Sequence, residues 1–396
     1  MSKLNNQPTK EKDSLINWPP EKIAAFRAVL LSWYDIEKRE LPWRENHDPY
    51  RIWVSEIMLQ QTRVDTVIPY YLNFLELFPT IADLAAAEEV LLKAWEGLGY
   101  YSRVRNMQTA AIQIMTDYNG KMPADPVEIQ KLKGIGPYTA GAISSMAFQL
   151  PEPAVDGNIM RILSRLFEID ADIAMPKNRK LFEEILRELI DPYRPGDFNQ
   201  ALMDLGSSIC TPKNYHPELS PVKEFNQSYQ NGTWEKYPVK SKKKKPKPIY
   251  YVGLIVKNDK GEFLLEKRPD NGLLAKMWTF PLIEKPAFKE ALFPKDKLTF
   301  TVLEEKSEKI ISELVEETQA TYAISPIYMK QPFAEVTHVF SHLRWKIAVY
   351  FGYVNEDLVD SIPEKCKWVS PDEFDLYTFP KPQQKMWESY QKRFVH

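Results

Sequence analysis

Apolar residues recur at helical spacing in the part of the chain before residue 238. Ile23, Phe26 and Leu30 fall on one face of a predicted helix, because positions three and four apart share a side when a turn takes about 3.6 residues. Residues 52–61 and 178–190 contain further apolar segments of this type. The pattern predicts an all-α first domain.

The pattern changes to strand type further along the chain. Tyr250–Lys257 and Glu262–Lys267 are predicted strands joined by a turn at Asp259-Lys260-Gly261, and Trp345–Val354 is another predicted strand. One amphipathic helix is predicted over Ser307–Thr318. The second domain is therefore expected to be α+β.

A segment rich in lysine and proline separates the two patterns. PVKSKKKKPKPIY, residues 238–250, fits neither the helical nor the strand period. We therefore place a first domain at 1–237, a linker at 238–249 and a second domain at 250–396. A solvated tether is the simplest interpretation of the lysine run, and an arm that contacts phosphates is the alternative.

Composition and charge narrow the class of protein. With 44% hydrophobic and 27% charged residues, the chain is expected to be globular. No run approaches the roughly 18 apolar residues of a spanning helix, and the start lacks the apolar core of a secretory signal, so we expect a soluble cytoplasmic protein without membrane contact. Because 52 Lys plus Arg are offset by 54 Asp plus Glu, contact with DNA would need a locally basic face.

Cysteine usage excludes one kind of architecture. Cys210 and Cys366 are the two cysteines of the chain and lie far apart in sequence. Neither a disulfide framework nor a metal site built from several cysteines can form from this set.

Glu56 is the first candidate for catalysis. It lies in the segment Ile52–Leu59, among large apolar side chains, and burial there would raise its pKa and keep it protonated as a general acid. The alternative is that Glu56 faces solvent from an amphipathic helix. Gln60, Gln61 and Thr62 follow directly, and their polar side chains could contact a base.

The segment Leu132–Gly141 predicts a tight turn between two helices. Gly134 and Gly136 flank an apolar residue, and a helical Thr-Ala-Gly-Ala-Ile run follows. Such a turn exposes backbone N–H groups at a helix N-terminus, where they can bind a phosphate. The alternative is an ordinary capping turn.

A second carboxylate, Asp156, lies in Val155-Asp156-Gly157-Asn158, ahead of a predicted helix. Asp suits the N-cap of a helix, which is the alternative interpretation. Paired with a protonated Glu56, an ionised Asp156 would complete the two-carboxylate arrangement that breaks glycosidic bonds through an oxocarbenium ion.

Taken together, these segments resemble the helix-hairpin-helix DNA glycosylases, and within them the MutY-type adenine glycosylases. The matching segments occur in the family order over roughly residues 20–212 and are Leu41–Arg44, Ser55–Thr62, Gly97–Tyr101, Gly134–Gly141, Val155–Asn158 and Phe198–Gly206. The combination is far more specific than any one motif.

The resemblance implies base-excision repair of adenine mispaired with 8-oxoguanine in double-stranded DNA. The adenine must leave the duplex before its glycosidic bond can be reached. Glu56 would then protonate adenine N7, and Asp156 would stabilise or capture the sugar cation. The same resemblance implies a protein that acts as a monomer on DNA in the bacterial nucleoid.

The resemblance also assigns residues to four groups. The catalytic group consists of Glu56, Asp156, Tyr138 and Asn158. The adenine pocket contains Trp43, Arg44 and Gln200. The residues expected to contact DNA are Gln61, Thr62, Leu98, Tyr100, Gly134 and Gly136. The residues expected to inspect the oxidised guanine are Phe340, Ser341 and His342.

Tyr138 separates this chain from the related endonuclease III glycosylases, which also cut the strand. In those enzymes a Lys at this hairpin position forms a Schiff base with the sugar. A phenol cannot do so, and we expect a monofunctional glycosylase that leaves an abasic site.

The chain departs from the family at the position of its iron–sulfur cluster. The family usually holds that cluster with four Cys after the Leu-Gly segment, whereas here Cys210 is followed by no other Cys through Tyr229. The chain resembles a clusterless branch, and we expect no cluster and no other cofactor. Apolar residues of segment 210–230 would replace the cluster by packing, and the candidates are Tyr215, Leu219, Val222, Phe225 and Tyr229.

The second domain resembles the Nudix fold. Its matching residues are Trp278–Pro281 and a remnant of the Nudix box formed by Glu304, Glu313, Glu316 and Glu317. The box is degraded at Leu298, Ser312 and Gln319, where the pattern requires Gly, Arg and Gly. A solvated helix face is favoured over a magnesium site, and the domain is expected to read the lesion.

Two other functions fit parts of the sequence. One is a Nudix-type nucleoside diphosphate hydrolase with a DNA-binding helical domain, and the degraded box counts against it. The other is a damage-binding protein with an inactive glycosylase site, and the presence of both Glu56 and Asp156 counts against it.

Overall fold

The computed structural model describes residues 14–242, 245–286, 289–293, 300–355 and 362–395. These residues form two compact units. The first contains the described residues up to Glu88 together with Ser102–Lys242, and the second contains Glu89–Tyr101 and the described residues after Lys242. Leu298 and the side chain of Glu304, both assigned to the remnant box, lie outside the described residues.

The part of the chain up to Lys242 is helical, as the apolar periodicity predicts. Its helices are α1 (Pro20–Glu37), α2 (Pro49–Leu59), α3 (Val64–Leu77), α4 (Ile81–Ala86), α5 (Val90–Ala94), α6 (Ser102–Asp117), α7 (Pro126–Lys131), α8 (Pro137–Phe148), α9 (Gly157–Phe167), α10 (Arg179–Leu189), α11 (Pro195–Ser208) and α12 (Gln227–Gln230). A 3-10 turn, Pro42–Arg44, precedes α2.

Local sequence signals begin several of these helices. Proline occupies the first turn of α1, α2, α7, α8 and α11, where its missing N–H is not needed and its φ already suits a helix. Asp48 caps α2 by accepting from the N–H groups of Tyr50 and Arg51. These signals fix where the helices start, and the packing of their apolar faces stabilises them.

The core of the first unit is formed largely by α1, α9, α10 and α11. Fully buried side chains from these helices include Phe26, Leu30, Leu163, Phe182 and Leu202. This packing holds the N-terminal end of α9, and therefore Asp156, beside α11.

The predicted hairpin is the connection between α7 and α8. Gly134 has a φ of +81°, and a Cβ there would lie 2.7 Å from Asn106 Cβ. Gly141, on α8, lies against the backbone, because a Cβ would be 2.1 Å from the Pro153 oxygen. Glycine is required at both positions, for the turn at Gly134 and for the close approach at Gly141.

The second unit contains a mixed sheet, helix α5 and three later helices. Its strands are β1 (Lys247–Asn258), β2 (Phe263–Lys267), β3 (Trp278–Thr279), β4 (Leu282–Glu284), β5 (Ile327–Tyr328), β6 (Ala334–Val339), β7 (Leu343–Val354) and β8 (Cys366–Val369). Its later helices are α13 (Lys289–Leu292), α14 (Phe300–Tyr322) and α15 (Lys381–Phe394). The three predicted strands and the predicted helix are present, with longer bounds for β1, β7 and α14.

The sheet is organised around one parallel pair. β1 pairs with β7 in parallel from Lys247↔Leu343 to Asn258↔Val354. β6 pairs antiparallel with the start of β7, so that the β6–β7 turn carries residues 340–342. Leu254, Tyr350 and Leu314 belong to one buried cluster. The mixed sheet with packed helices agrees with the predicted α+β class.

The segment Glu89–Tyr101 belongs to the second unit, although it interrupts the sequence of the helical one. Glu96 Oε1 accepts from the backbone N–H of Phe379 at 3.2 Å and from Gln384 Nε2 at 2.9 Å. Lys93 Nζ donates to the Tyr377 oxygen at 3.4 Å. Hydrophobic periodicity gave no sign of this association, because it reports local structure and not partners distant in sequence.

Of the helices in the described residues, none combines the length and the apolar character needed to cross a membrane.

Candidate active site

Glu56 lies in the third turn of α2 and is 4% exposed. Its Oε2 accepts a hydrogen bond from the Tyr138 hydroxyl at 2.6 Å. Tyr138 is the second residue of α8, so the hairpin turn determines where this hydroxyl lies. The structure rejects the alternative in which Glu56 faces solvent.

The surroundings of Glu56 favour its protonated form. Burial raises the pKa of Glu56 from 4.5 to about 7, the hydrogen bond from Tyr138 opposes the rise, Asp156 adds to it and Arg44 opposes it. Burial acts in this way because the ionised carboxylate loses hydration that the neutral acid does not need. At neutral pH, Glu56 can therefore hold a proton and release it.

Asp156 is both an N-cap and a cavity residue. Its Oδ1 accepts from the backbone N–H groups of Asn158 at 2.9 Å and Ile159 at 2.8 Å, and its Oδ2 accepts from Asn158 Nδ2 at 2.9 Å. Burial raises the pKa of Asp156, while these hydrogen bonds and the charge of Arg161 oppose the rise. The capping and functional interpretations are therefore compatible in this structure.

A cavity of about 690 Å³ brings together all of the residues assigned to chemistry and adenine binding. Its lining includes Trp43, Arg44, Glu56, Thr62, Tyr138, Asp156, Asn158 and Gln200. Trp43 forms one wall and packs edge-to-face on Tyr71 at 5.3 Å between ring centroids. Thr62, predicted to contact DNA, lies on this cavity as well.

Arg161 supports the Asp156 side of the cavity. Its Nη2 donates to Asn158 Oδ1 at 2.9 Å and to the Gly206 oxygen at 2.7 Å. Its Nε donates to the Cys210 oxygen at 2.7 Å. Arg161 therefore fixes the amide that contacts Asp156.

The other residues predicted to contact DNA have different environments. Gln61 is exposed with a φ of +61°, and Gly134 and Gly136 are exposed at the hairpin. Tyr100 is 46% exposed, whereas Leu98 is 6% exposed. In this conformation the Leu98 side chain is buried and is not presented for contact with DNA.

The residues predicted to inspect the lesion form the turn between β6 and β7. The Ser341 hydroxyl donates to the Tyr100 hydroxyl at 3.2 Å, within the second unit. Phe340 is partly buried, with its ring 4.9 Å from Trp345 and 4.6 Å from His338. His342 is exposed, and its backbone oxygen accepts from the Lys247 N–H at 2.9 Å. Phe340 thus anchors the turn, and Ser341 and His342 lie at its surface.

The surroundings of Cys210 do not fit an iron–sulfur cluster. Cys210 is 3% exposed, and its Sγ accepts from Arg165 Nη1 at 3.2 Å. The Arg165 guanidinium lies 4.1 Å from the centre of the Tyr215 ring. The usual cluster needs four thiolates, and the one thiol here is in contact with a guanidinium.

Packing in the segment after Cys210 follows the prediction in part. Val222 is 2% exposed, and Tyr215 and Phe225 pack against the core. The prediction for Leu219 is wrong, because this side chain is 67% exposed at the end of a 3-10 turn. Tyr229 packs on Trp234, with 6.0 Å between ring centroids.

Two glutamates of the remnant Nudix box pair with a lysine. Lys285 Nζ lies 2.6 Å from Glu317 Oε2 and 3.6 Å from Glu313 Oε2. Glu316, Ser312 and Gln319 are exposed on the same helix. Across the described part of the chain, no group of three or more His, Cys, Asp and Glu side chains could hold a metal ion. The pairing is that of a salt-bridged helix face.

Comparison with known protein families shows to which class of protein the chain belongs. Residues 54–192 match the HhH-GPD superfamily of base excision DNA repair proteins, and residues 251–389 match the NUDIX domain. The first unit thus has the helix-hairpin-helix fold of that superfamily, as the sequence resemblance predicts.

Individual relatives narrow the class to one family. The adenine DNA glycosylase of Mus musculus is 33% identical, over 89% of this chain and 75% of the relative. That of Schizosaccharomyces pombe is 32% identical, over 89% and 87%. That of Buchnera aphidicola subsp. Baizongia pistaciae is 39% identical, over 65% and 73%. The chain belongs to the adenine DNA glycosylase family.

Two residues of the site, Asp204 and Arg39, were not predicted from the sequence. Asp204 contacts both Arg39 and Arg44, and the resemblance assigns it no role although it lies inside the matching segment Phe198–Gly206. Its position four residues after Gln200 was the available signal, because residues i and i+4 share a helix face.

Proposed function

We propose that this chain removes adenine from double-stranded DNA where adenine is paired with 8-oxoguanine. The observation that carries the proposal is the buried Glu56, which accepts a hydrogen bond from Tyr138 beside a cavity that Asp156 also lines. The family membership supports adenine as the base. The adenine is extruded from the duplex before the reaction, since the bond to be broken is otherwise enclosed by stacked bases.

In the first step Glu56 acts as the general acid. It transfers its proton to adenine N7, and the electrons of the C1′–N9 bond move onto the base as that bond breaks. Adenine then leaves as a neutral molecule, which is a far better leaving group than its anion. A carboxyl pKa of about 7 suits this transfer, because the group is partly protonated at neutral pH and readily gives up its proton.

In the second step Asp156 opposes the positive charge of the sugar. Its carboxylate, held by two backbone N–H groups and by Asn158, stabilises or captures the oxocarbenium ion at C1′. Water then adds to C1′ and releases a proton to solvent. The product is an abasic site.

Trp43, Arg44 and Gln200 would hold the extruded base in the cavity. Gln60 Nε2 donates to Thr139 Oγ1 at 3.4 Å, which links the end of α2 to α8. The position that a Schiff-base lysine would occupy is held by Tyr138, and so we propose a monofunctional glycosylase. Gly134 and Gly136 would bind a phosphate of the DNA through their turn.

Recognition of the opposite base is assigned to the β6–β7 turn. Oxidation changes guanine N7 from an acceptor to an N–H donor and adds O8, so a hydroxyl such as that of Ser341 can distinguish the two bases. Gln61 and Tyr100 would contact the duplex near this base. The enzyme would need no iron–sulfur cluster or other cofactor, and would act as a monomer in the bacterial nucleoid.

A base-release assay tests the proposal. Duplexes that differ in the base opposite one adenine are incubated with the protein, and each reaction is analysed with and without alkali. Strand cleavage that depends on alkali, and is fastest opposite 8-oxoguanine, is expected. Cleavage without alkali would contradict monofunctional action, and no cleavage at all would contradict the proposal.

A further inference from the structure

Asp204 is a buried carboxylate that binds two arginines at the edge of the cavity. Its side chain is 4% exposed. Arg44 donates to it from both ends of its guanidinium, Nη1 to Oδ2 at 2.7 Å and Nη2 to Oδ1 at 3.0 Å. Arg39 donates to Oδ1 from Nη2 at 2.6 Å and from Nε at 3.0 Å.

Arg44 binds Asp204 in a bidentate geometry that leaves its guanidinium little freedom. Two parallel N–H···O contacts fix the plane of the guanidinium as well as its distance. Its Nη1 also donates to the Arg39 oxygen at 3.2 Å. With the side chain of Arg44 only 13% exposed, few other orientations are open to it.

Helix α11 carries Asp204 and Gln200 on one face. The two residues are four apart, and so their side chains are neighbours on the helix surface. Gln200 lines the cavity, as does Arg44. One face of α11 thus supplies Gln200 to the cavity directly and holds Arg44 in place through the carboxylate of Asp204.

We propose that Asp204 is a positioning residue, which orients Arg44 toward the adenine and offsets its positive charge beside Glu56. The inference rests on the proposed function, because it concerns the pocket for the extruded base. Asp204 does not line the cavity and acts through Arg44.

The electrostatics support both parts of this role. Burial alone would raise the pKa of Asp204, but the hydrogen bonds and charge of Arg44, followed by those of Arg39, outweigh burial and lower it. Asp204 is therefore ionised at neutral pH. Arg44 in turn opposes the raised pKa of Glu56, so an unbalanced Arg44 would make Glu56 a stronger acid.

Other titratable groups also surround Glu56 and Arg44. Glu56 faces Tyr138, Asp156 and Arg44. Arg44 lies 5.7 Å from the centre of the Tyr34 ring, and Tyr34 is in turn influenced by Asp197 and Arg194. Of these groups, Arg44 and Tyr34 also interact with Asp204, and Arg39 lines the cavity together with Arg44, so the pH profiles of the Asp204 and Arg39 variants are compared with each other as well as with that of the parent.

The test uses Asp204→Asn, Asp204→Glu and Arg39→Ala in the full chain. Adenine release is measured in single turnovers across pH, on a duplex with adenine opposite 8-oxoguanine. Binding is measured to that duplex and to a matched duplex that lacks the adenine base. Thermal melting of each variant reports whether it is folded.

Two results are expected for Asp204→Asn. Its binding of the adenine duplex weakens about tenfold, roughly what one bidentate contact contributes, while binding of the base-free duplex is unchanged. The loss of its rate at alkaline pH begins at lower pH than in the parent, because Arg44 is no longer offset. Asp204→Glu restores part of both properties.

Arg39→Ala separates a positioning role from a structural one. Removal of this cation leaves the Arg44–Asp204 pair intact. The alkaline limb of the pH–rate profile, where the rate falls as the pH rises, therefore stays in place or moves to higher pH. A structural role would impair both variants in the same direction and would weaken both duplexes equally.

The inference is overturned if Asp204→Asn, while folded, weakens both duplexes equally or leaves the alkaline limb in place. If Asp204→Asn does not fold, a downward shift of the limb in Arg39→Ala overturns it instead. An inactive parent protein would contradict the proposed function and not this inference.

Discussion

The Tyr138 hydroxyl donates a hydrogen bond to Glu56 Oε2 across 2.6 Å. These residues are 82 positions apart in sequence and come from α8 and α2. The contact links the hairpin turn, which is suited to bind a phosphate, to the group that would protonate the base. In the proposed mechanism, Tyr138, at the position where the related endonuclease III glycosylases have a Schiff-base lysine, would therefore orient the general acid.

Glu56→Gln is expected to abolish adenine release while retaining binding of the mispaired duplex. The amide keeps the shape and can still accept from Tyr138, but it cannot supply a proton. Single-turnover release and equilibrium binding are measured on the same duplex. Turnover close to that of the parent would refute the assignment of Glu56 as the acid.

Asp156→Asn is expected to be nearly inactive with little loss of stability. Asn is about as good an N-cap as Asp, so α9 keeps its start, but the charge that opposes the oxocarbenium ion is removed. Thermal melting provides the control for the cap. If the rate of a well-folded variant stays near that of the parent, Asp156 is only a cap.

Glu56 should also reduce the stability of the folded protein at neutral and alkaline pH. Its pKa is raised from 4.5 to about 7 in the folded state. The free energy of unfolding is therefore undiminished by Glu56 below the lower pKa. It falls as the pH rises toward the upper pKa, because the unfolded chain releases a proton that the folded chain keeps. The loss is of the order of 3 kcal/mol at most.

The Glu56→Gln variant checks this linkage. Its free energy of unfolding, measured with denaturant, should exceed that of the parent at pH 8 and match it near pH 4. A difference that is the same at both pH values would show that Glu56 does not titrate in this range.

Cys210→Ser should leave adenine release intact and cost about 1 kcal/mol of stability, as expected for altering one buried hydrogen-bonded group. The Cys210 thiol contacts Arg165, and in the clusterless interpretation it holds no iron. Cys366→Ser, at the other buried cysteine, is the matched control for burying a hydroxyl. Loss of activity specific to the Cys210 variant, or about four irons per chain in elemental analysis, would contradict the clusterless interpretation.

Replacement of Ser341 and His342 together by Ala should reduce the preference for adenine opposite 8-oxoguanine over adenine opposite guanine. A matched polar contact contributes roughly 1 to 3 kcal/mol, or about one to two decades of preference. The chemical step should change little. Single-turnover rates and binding on the two duplexes provide the measurement.

The single variants at this turn divide the effect. Ser341→Ala should account for most of the loss, because its hydroxyl can both donate and accept. An unchanged preference in the double variant would assign the discrimination elsewhere, to Gln61 and Tyr100.

Much of the architecture follows from the sequence alone. Apolar spacing predicts the helices α1, α2 and α10 of the first unit and the strands β1, β2 and β7, because a helix or strand must place its apolar side chains on the face that is buried. Short-range signals also suffice for the hairpin, where Gly134 alone permits a φ of +81°. The order of the matching segments identifies the family.

Only the tertiary structure decided which polar side chains are buried together. The segment around Glu56 allowed either a solvent-facing or a buried carboxylate, and its pKa depends on Tyr138, Asp156 and Arg44 from other elements. Likewise, Leu98 is buried and Leu219 is exposed, although both are leucines in short segments outside the α-helices. Residues distant in sequence set these environments, and local periodicity carries no information about them. The contacts of Asp204 with Arg44 and Arg39 could not be predicted for the same reason, since each contact spans at least 160 positions of the sequence.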